Sequence, residues 1–229
     1  MACLLKGGGG LYGRLIVGGV VLAAGQGSRM GNRAKSLLEI AGVPLIRRQL
    51  IALSGAGVDQ LVVVLGYHAE LIRPYIEDFP ITIIDLSKEP EPSQKRSVQA
   101  GVAALQGKFD AVLVAASDMP LLGTSDYSDL IGAYKKRPEG AQMVRPIVRE
   151  ELGNPVIFDY EITGGNELGA EPLCRNWWRN HQDKCFGWNC ENDRFVIDVD
   201  TMDDIKNLEQ RLGRKLSFPE ASKASYGID

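Results

Sequence analysis

No apolar run in this 229-residue sequence approaches the ~20 residues that a membrane-spanning helix needs. Nor is there an excess of one charge. The 26 Lys and Arg against 29 Asp and Glu leave a formal net charge of −3, so no general attraction to nucleic acid or to an anionic membrane is expected. Cysteine is sparse: Cys3, Cys174, Cys185 and Cys190 make no C-x-x-C pair. Cys185, Cys190 and His181 lie close in sequence, but their spacing is irregular and a fourth ligand is not obvious. Reduced structural thiols are therefore expected rather than zinc ligands. Internal repeats and low-complexity stretches are missing. A secretory leader is poorly formed too, because Gly7 to Gly10 interrupts the short apolar stretch near Lys6; a frayed tail is the better reading. A cytoplasmic protein is expected. Its 45% hydrophobic and 24% charged residues are ordinary for a globular chain, and its length suffices for one sizeable α/β domain or two small ones.

What is present is an alternation. Apolar, β-rich runs at 18–24, 60–65, 81–85, 111–116, 142–146, 154–158 and 194–199 read as strands. Between them, 44–53, 69–76, 93–105, 125–136, 169–181 and 201–212 carry helical periodicity. Continuous hydrophobic strands separated by helices predict a mostly parallel sheet covered on both faces, with ligands at the strands' carboxyl ends. The organisation expected is a tail at 1–15, one domain at 16–215 and a loose tail at 216–229. Within the domain, a first half at 16–122 and a second half at 123–215 are expected. Lys88 to Ser93 is a Pro-rich loop with the look of a lid.

The first strand breaks abruptly into Leu22-Ala23-Ala24-Gly25-Gln26-Gly27-Ser28-Arg29-Met30-Gly31, with Lys35 beyond. Small residues let the backbone turn tightly and approach a ligand closely. Exposed N–H groups in such a turn cradle an anion, and Arg29 and Lys35 add full charge, which points to a polyphosphate. The P-loop pattern is excluded, since no Gly-Lys-Ser/Thr follows. The dinucleotide fingerprint is excluded because Met30 stands where the third glycine belongs and Gly31 comes one place late. On the loop alone, a plain strand-to-helix turn with solvated charges stays open.

Residues 22–31 resemble the Leu-Ala-Ala-Gly-x-Gly-x-Arg-Met-Gly signature of the molybdenum cofactor nucleotidyltransferase family, the MobA-like NTP transferases. The resemblance implies a three-layer α/β/α Rossmann-like fold with a mostly parallel mixed sheet. It also implies that Leu22, Ala23, Ala24, Gly25, Gln26 and Gly27 wrap the triphosphate while Arg29 and Lys35 act in catalysis. Three residues separate Gly31 from Lys35, where close relatives usually have two, and Arg33 is an alternative source of charge.

A second buried run ends in Ser117-Asp118-Met119-Pro120, where Pro120 keeps Met119 extended. Taken alone, Asp118 reads as a turn or cap residue. Asp-Met-Pro after a strand resembles the family's metal-binding motif, however, which makes Asp118 a Mg²⁺ ligand and nucleotide contact. Val-Ile-Asp-Val-Asp-Thr-Met-Asp-Asp-Ile at 196–205 resembles the family's Asp-Ile-Asp-Thr-Pro-Glu-Asp-Leu, and Asp200 takes the second metal-ligand place. Asp203 and Asp204 fit the acidic first turn of the last helix.

Ser-Gln-Lys-Arg-Ser-Val at 93–98 resembles the base-reading element of cytidylyltransferases, which assigns Arg96 and Ser97 to the nucleotide and favours CTP. The same stretch also reads as an amphipathic helix with Ser93 as its N-cap. The Gly-Pro-Leu-x-Gly element of the guanylyltransferase branch is missing. Gly-Asn-Pro-Val-Ile-Phe at 153–158 resembles Gly-His-Pro-Val-Leu-Phe of molybdenum cofactor cytidylyltransferases, placing Asn154 and Pro155 at the acceptor. Asn154 replaces a histidine and Glu171 an arginine, so an anionic acceptor is held less strongly. His68, Trp177, Trp178 and Trp188 read as structural.

The function implied is Mg²⁺-dependent transfer of CMP from CTP to the phosphate of a molybdopterin-type acceptor, with a molybdoenzyme as recipient of the product. Neither nucleic acid nor membrane is an expected partner. The alternatives are a sugar- or polyol-phosphate cytidylyltransferase, a GTP-using molybdopterin guanylyltransferase, and a non-catalytic protein that binds and delivers the cofactor.

Overall fold

The computed structural model describes residues 14–90, 93–163, 174–220, 222 and 226. The strands are β1 (Val17–Ala23), β2 (Glu39–Ile40), β3 (Val43–Pro44), β4 (Gln60–Leu65), β5 (Thr82–Asp85), β6 (Ala111–Ala116), β7 (Met143–Val148), β8 (Glu151–Leu152), β9 (Val156–Asp159) and β10 (Cys185–Asn189). The α-helices are α1 (Leu45–Gly55), α2 (Ala69–Ile72), α3 (Gln94–Ala103), α4 (Thr124–Lys135), α5 (Arg175–Asn180) and α6 (Met202–Leu212).

Eight strands form one sheet in the order β10-β7-β9-β6-β1-β4-β5, with β8 paired to the end of β7; β2 and β3 make a separate small hairpin. β6, β1, β4 and β5 run parallel, β10 runs parallel to β7, and β9 is antiparallel to both its neighbours. The sheet is thus mixed and mostly parallel, as expected.

Alternation along each strand sends side chains to two cores. Val17 and Val21 of β1 belong to the larger one. It also takes in Leu45, Ile46, Leu50 and Leu53 of α1, Tyr127, Leu130 and Tyr134 of α4, and Ile205 and Leu208 of α6. Val20 of β1 faces the other way, toward Val98 and Val102 of α3 and Trp177 of α5. These two apolar faces make the helix–sheet–helix layering. Among the described residues, no helix is long and apolar enough to cross a membrane.

The structure corrects several expectations. Residues 194–199 are not a strand: Asp193–Val196 is a 3₁₀ turn whose N-cap Asn192 accepts the Arg194 N–H at 3.2 Å. The turn drives Phe195 fully into the core, and the chain then passes Asp118 with one bond, Val199 N–H to the Asp118 carbonyl at 3.0 Å. The sheet edge is instead β10, whose Cys-Phe-Gly-Trp-Asn composition carries no apolar run. A side chain at Gly187 would place its Cβ 2.2 Å from Ile147 Cδ1, so any larger residue there requires the Ile147 side chain to shift. The helix expected at 69–76 is α2 followed by a 3₁₀ turn at Arg73–Tyr75, because Pro74 lacks the N–H that would continue it. The helix expected at 169–181 begins at Arg175; 169–173, with Gly169, Ala170 and Glu171, lie outside the described residues. The segment after Leu216 is not uniformly loose. The Glu39 N–H donates to the Ser217 carbonyl at 2.8 Å, and Phe218 and Ser222 are buried.

Candidate active site

Beyond β1 the chain turns through Gly27 and Gly31, which have φ of 67° and 66°. The Gly27 carbonyl accepts the N–H groups of Met30 (2.9 Å) and Asn32 (3.0 Å). A Cβ on Gly27 would lie 2.1 Å from the Arg33 carbonyl oxygen. Close backbone packing therefore sets the path from the glycine loop to Lys35. Gly27→Ala is expected to weaken nucleotide binding at least ~10-fold, combining the left-handed backbone cost of about 1–2 kcal/mol with that clash. Calorimetric titration checks it, and unchanged affinity contradicts it.

Burial of Met30, Ala34 and Leu37 turns the charged residues toward the sheet edge. The Lys35 ammonium donates to Asp200 Oδ1 and lies 3.7 Å from Asp118 Oδ2. Arg29 Nη1 donates to Asp200 Oδ2 at 2.8 Å. Arg33 points elsewhere, donating to Met202 Sδ at 3.2 Å and lying over the Phe218 ring. Lys35 opens the 3₁₀ turn Lys35–Leu37, and the Arg33 guanidinium sits apart from the Lys35–Asp200 pair.

Buried polar contacts hold the carboxylates. The Gln49 amide donates to the Met119 carbonyl, and the Tyr127 hydroxyl donates to Gln49 Oε1, fixing the turn beyond β6. Asp126, 1% exposed, accepts the Gly123 N–H (2.8 Å), Asn192 Nδ2 (2.7 Å) and Arg194 Nη1 (3.2 Å), tying α4 to the chain that leads to Asp200. Asp204 accepts the N–H groups of Asp200 (2.9 Å) and Thr201 (2.6 Å), capping α6. Asp203 pairs with Lys206. Burial pushes the Asp118 carboxyl up to about 6 against the opposing pull of Lys35, with the charges of Asp198 and Asp200 adding to the rise. Asp198 is raised as well, by burial and then by Asp200.

This crowding of negative charge on one ammonium is a donor set that fits Mg²⁺. That ion takes hard oxygens, binds proteins through one or two carboxylates, and completes its shell with phosphate and water. Asp118 and Asp200 both reach the same ammonium, so they stand close enough to share one cation. Among the described residues, no group of three or more His, Cys, Asp and Glu side chains is placed to hold a metal by itself. Cys174, Cys185 and Cys190 are free thiols, and burial pushes Cys174 up to about 12 and Cys185 up to about 11, which makes them unreactive. Cys3 lies outside the described residues.

A cleft of about 470 Å³ opens along the carboxyl ends of β6, β1, β4 and β5. Of the residues assigned to the nucleotide from sequence, Leu22, Ala24, Gly25, Gln26, Ser97 and Asp118 line it. Ala23 is buried within β1. Arg96 Nε lies 3.4 Å from Glu89 Oε2 and is not among the lining residues. Ser93 caps α3 by accepting the Arg96 N–H at 3.1 Å, and Ser97 Oγ donates to the Ser93 carbonyl at 3.1 Å. Sequence reasoning missed Gly66, Tyr67, Leu86, Ser87, Glu89 and Gln94. Their signal was positional, since Gly66 follows β4 and Leu86 follows β5 at the ligand-binding end of the sheet. His68 Nε2 donates to the Gln26 carbonyl at 3.0 Å and so holds the glycine loop, while burial lowers its affinity for a second proton.

Asn154 and Pro155 lie just before β9, beside the carboxyl end of β6, two residues beyond which stands Asp118. The Asn154 N–H donates to the Phe195 carbonyl at 2.8 Å, and its Oδ1 accepts from Arg145 Nη2 at 3.2 Å. Neither residue hydrogen-bonds to Arg29, Lys35, Asp118 or Asp200, so the proposed acceptor residues form a separate edge of the site.

The family model described as the MobA-like NTP transferase domain matches residues 19–170. The bifunctional protein GlmU of Bifidobacterium adolescentis is 34% identical over 154 residues, covering 65% of this chain and 33% of that protein. The chain thus spans about a third of the length of the curated relatives it matches. Among solved structures, a nucleotidyl transferase from Methanothermobacter thermautotrophicus superposes with a TM-score of 0.70 at 22% identity, over 86% of this chain and 97% of that one. The 4-diphosphocytidyl-2C-methyl-D-erythritol synthase of Anaerococcus prevotii gives 0.64 at 17% identity, over 87% and 99%. These structural likenesses support the fold alone. The matched model covers more than half of the sequence, including the glycine-rich loop and Asp118: this chain belongs to the MobA-like NTP transferase family.

Proposed function

We propose that the protein is a nucleotidyltransferase that moves CMP from CTP to the phosphate of a molybdopterin-type acceptor. The observation that carries the reading is the convergence of Lys35 on Asp118 and Asp200 at one end of the cleft. In this reading 16–122 holds the nucleotide and 123–215 the acceptor.

The backbone N–H groups of the 24–27 loop and the charges of Arg29 and Lys35 grip the triphosphate. Asp118 and Asp200 are the residues that would hold Mg²⁺, which when bound neutralises phosphate charge. An acceptor phosphate oxygen forms a bond to the α-phosphorus as the bond to the bridging oxygen breaks, and pyrophosphate leaves. The acceptor phosphate is already ionised, so no general base is required. Positioning and charge stabilisation by Lys35 and Arg29 supply most of the barrier reduction. Asn154 contributes a neutral hydrogen bond to the acceptor where a histidine would offer charge.

The test is pyrophosphate release with Mg²⁺ and molybdenum-loaded molybdopterin, comparing CTP, GTP, ATP and UTP. Release with CTP alone is expected. Release with another nucleotide keeps the transferase class and overturns the cytidylyl assignment. A sugar- or polyol-phosphate acceptor is the second reading, favoured by the uncharged Asn154 at the acceptor edge. Release with CTP and such a phosphate, but not with molybdopterin, would establish it. Absence of release with every nucleotide and acceptor favours a binding and delivery protein.

A further inference from the structure

The cleft crosses the sheet edge in a fixed order. Asp118 follows β6, Ala24 to Gln26 follow β1, Gly66 and Tyr67 follow β4, and Leu86, Ser87 and Glu89 follow β5. Three strand spacings of about 4.8 Å separate its ends, roughly 14 Å in all. A triphosphate anchored at Lys35 and the glycine loop therefore directs its base toward the β4–β5 end. There Glu89 lines the cleft with its side chain 24% exposed. A carboxylate in a cleft for a polyanion opposes the ligand unless it faces a neutral donor. Arg96 lies against Oε2 at 3.4 Å, which offsets the charge, steadies the carboxylate and leaves Oε1 able to accept.

The hydroxyls at this end are largely committed. Ser97 gives its proton to the Ser93 carbonyl, and Ser93 Oγ caps α3. Ser87 and Gln94 also line this end and can act as donor or acceptor. Among the described residues lining this end, Glu89 carries the acceptor-only side chain. Cytosine presents an exocyclic amine where uracil presents a carbonyl, so a carboxylate suits the first and meets the second acceptor to acceptor.

We propose that Glu89 accepts a hydrogen bond from the exocyclic amine of cytosine and sets the preference for CTP over UTP. The inference rests on the nucleotide site proposed above. It assigns base discrimination to the loop after β5 rather than to the Ser97 hydroxyl.

Calorimetric titration of the full chain with CTP and UTP tests it, using wild type, Glu89→Gln, Glu89→Ala and Arg96→Ala, with a melting curve for each. Wild type is expected to favour CTP by at least ~10-fold, because an unpaired or mismatched polar edge is strongly rejected. Glu89→Gln, whose amide can donate to the uracil carbonyl, is expected to cut that ratio at least ~10-fold, mainly by gaining UTP. Glu89→Ala is expected to lose CTP affinity and to gain UTP less than Glu89→Gln does, because relief of the acceptor–acceptor contact brings no new hydrogen bond. Arg96→Ala, which removes the ion pair that steadies the carboxylate, is expected to narrow the preference without reversing it. An unchanged ratio in Glu89→Gln, or equal binding of both nucleotides by wild type, overturns the assignment to Glu89 while leaving the nucleotide site intact. Binding of neither nucleotide by folded wild type overturns the site and this inference together.

Discussion

Lys35→Met is expected to lower the rate of pyrophosphate release by about 10³-fold, in line with the loss of one preorganised group that stabilises developing charge. The lysine is largely enclosed, 19% exposed, and its ammonium faces both Asp118 and Asp200. Removing it leaves those carboxylates without their shared cation and removes positive charge from the departing pyrophosphate. Arg29 offers a comparison. It pairs with the same Asp200, but its side chain is 71% exposed and water screens the contact. Arg29→Met is therefore expected to cost less, about 10-fold, because its charge acts mainly through solvent-screened attraction. Steady-state assays on both variants, with melting temperatures within a few degrees of wild type, check the ranking. A Lys35→Met enzyme within ~10-fold of wild type would remove the lysine from the proposed chemistry.

Asp118→Asn separates function from stability. Activity is expected to fall by at least about 10³-fold, because a neutral amide is a poor ligand for a hard cation at the triphosphate. Stability is expected to move the other way. Burial first, and then the charges of Asp198 and Asp200, raise Asp118 to about 6 despite Lys35. A carboxyl raised in the folded state keeps its proton at a pH where the unfolded chain has lost it. The folded state is then favoured at low pH, and that advantage disappears as pH rises from about 4 through about 6. Asparagine carries no such penalty. Without metal, Asp118→Asn is expected to be more stable than wild type by about 1–2 kcal/mol at pH 8, with the gap closing below about pH 4. That corresponds to roughly 2–8 °C in Tm for a chain of this size. Added Mg²⁺ should narrow the gap by stabilising wild type alone. Calorimetry at pH 4, 6 and 8, with and without Mg²⁺, decides it. A variant less stable than wild type at pH 8 would mean that the Lys35 contact outweighs burial. Asp200→Asn is expected to share the activity loss.

The legibility of the site varied with the kind of residue. The strands at 60–65 and 111–116 were readable to the residue, because a strand buried on both faces needs an unbroken apolar run. Asp118 and the glycine loop stood out because they follow such strands, but their own residues also suited an ordinary turn, and only the resemblance singled out Asp118 and Lys35 for a role. Cys185–Asn189 was not, since an edge strand needs only backbone partners, and its glycine and polar residues carry no periodic signal. Residues 194–199 misled for the opposite reason. Their β-rich apolar run, Phe195 to Ile197, suits a strand, but the Asn192 cap and the buried Phe195 draw the chain into a turn.

Local composition thus determined the layered α/β architecture, the glycine-rich turn after β1 and the acidic residue after β6, because each depends on residues near one another in the chain. Tertiary structure decided which of these meet. Lys35 and Asp200 are 165 positions apart, and only sheet order and the bond from Val199 to the Asp118 carbonyl bring them into one ion pair. Glu89 and Gln49 owe their places to the same cause. Gln49 is held by the distant Met119 and Tyr127, and Glu89, though its ion pair with Arg96 is local, faces a cleft whose other walls follow β1, β4 and β6; packing across such distances leaves no periodic trace in sequence.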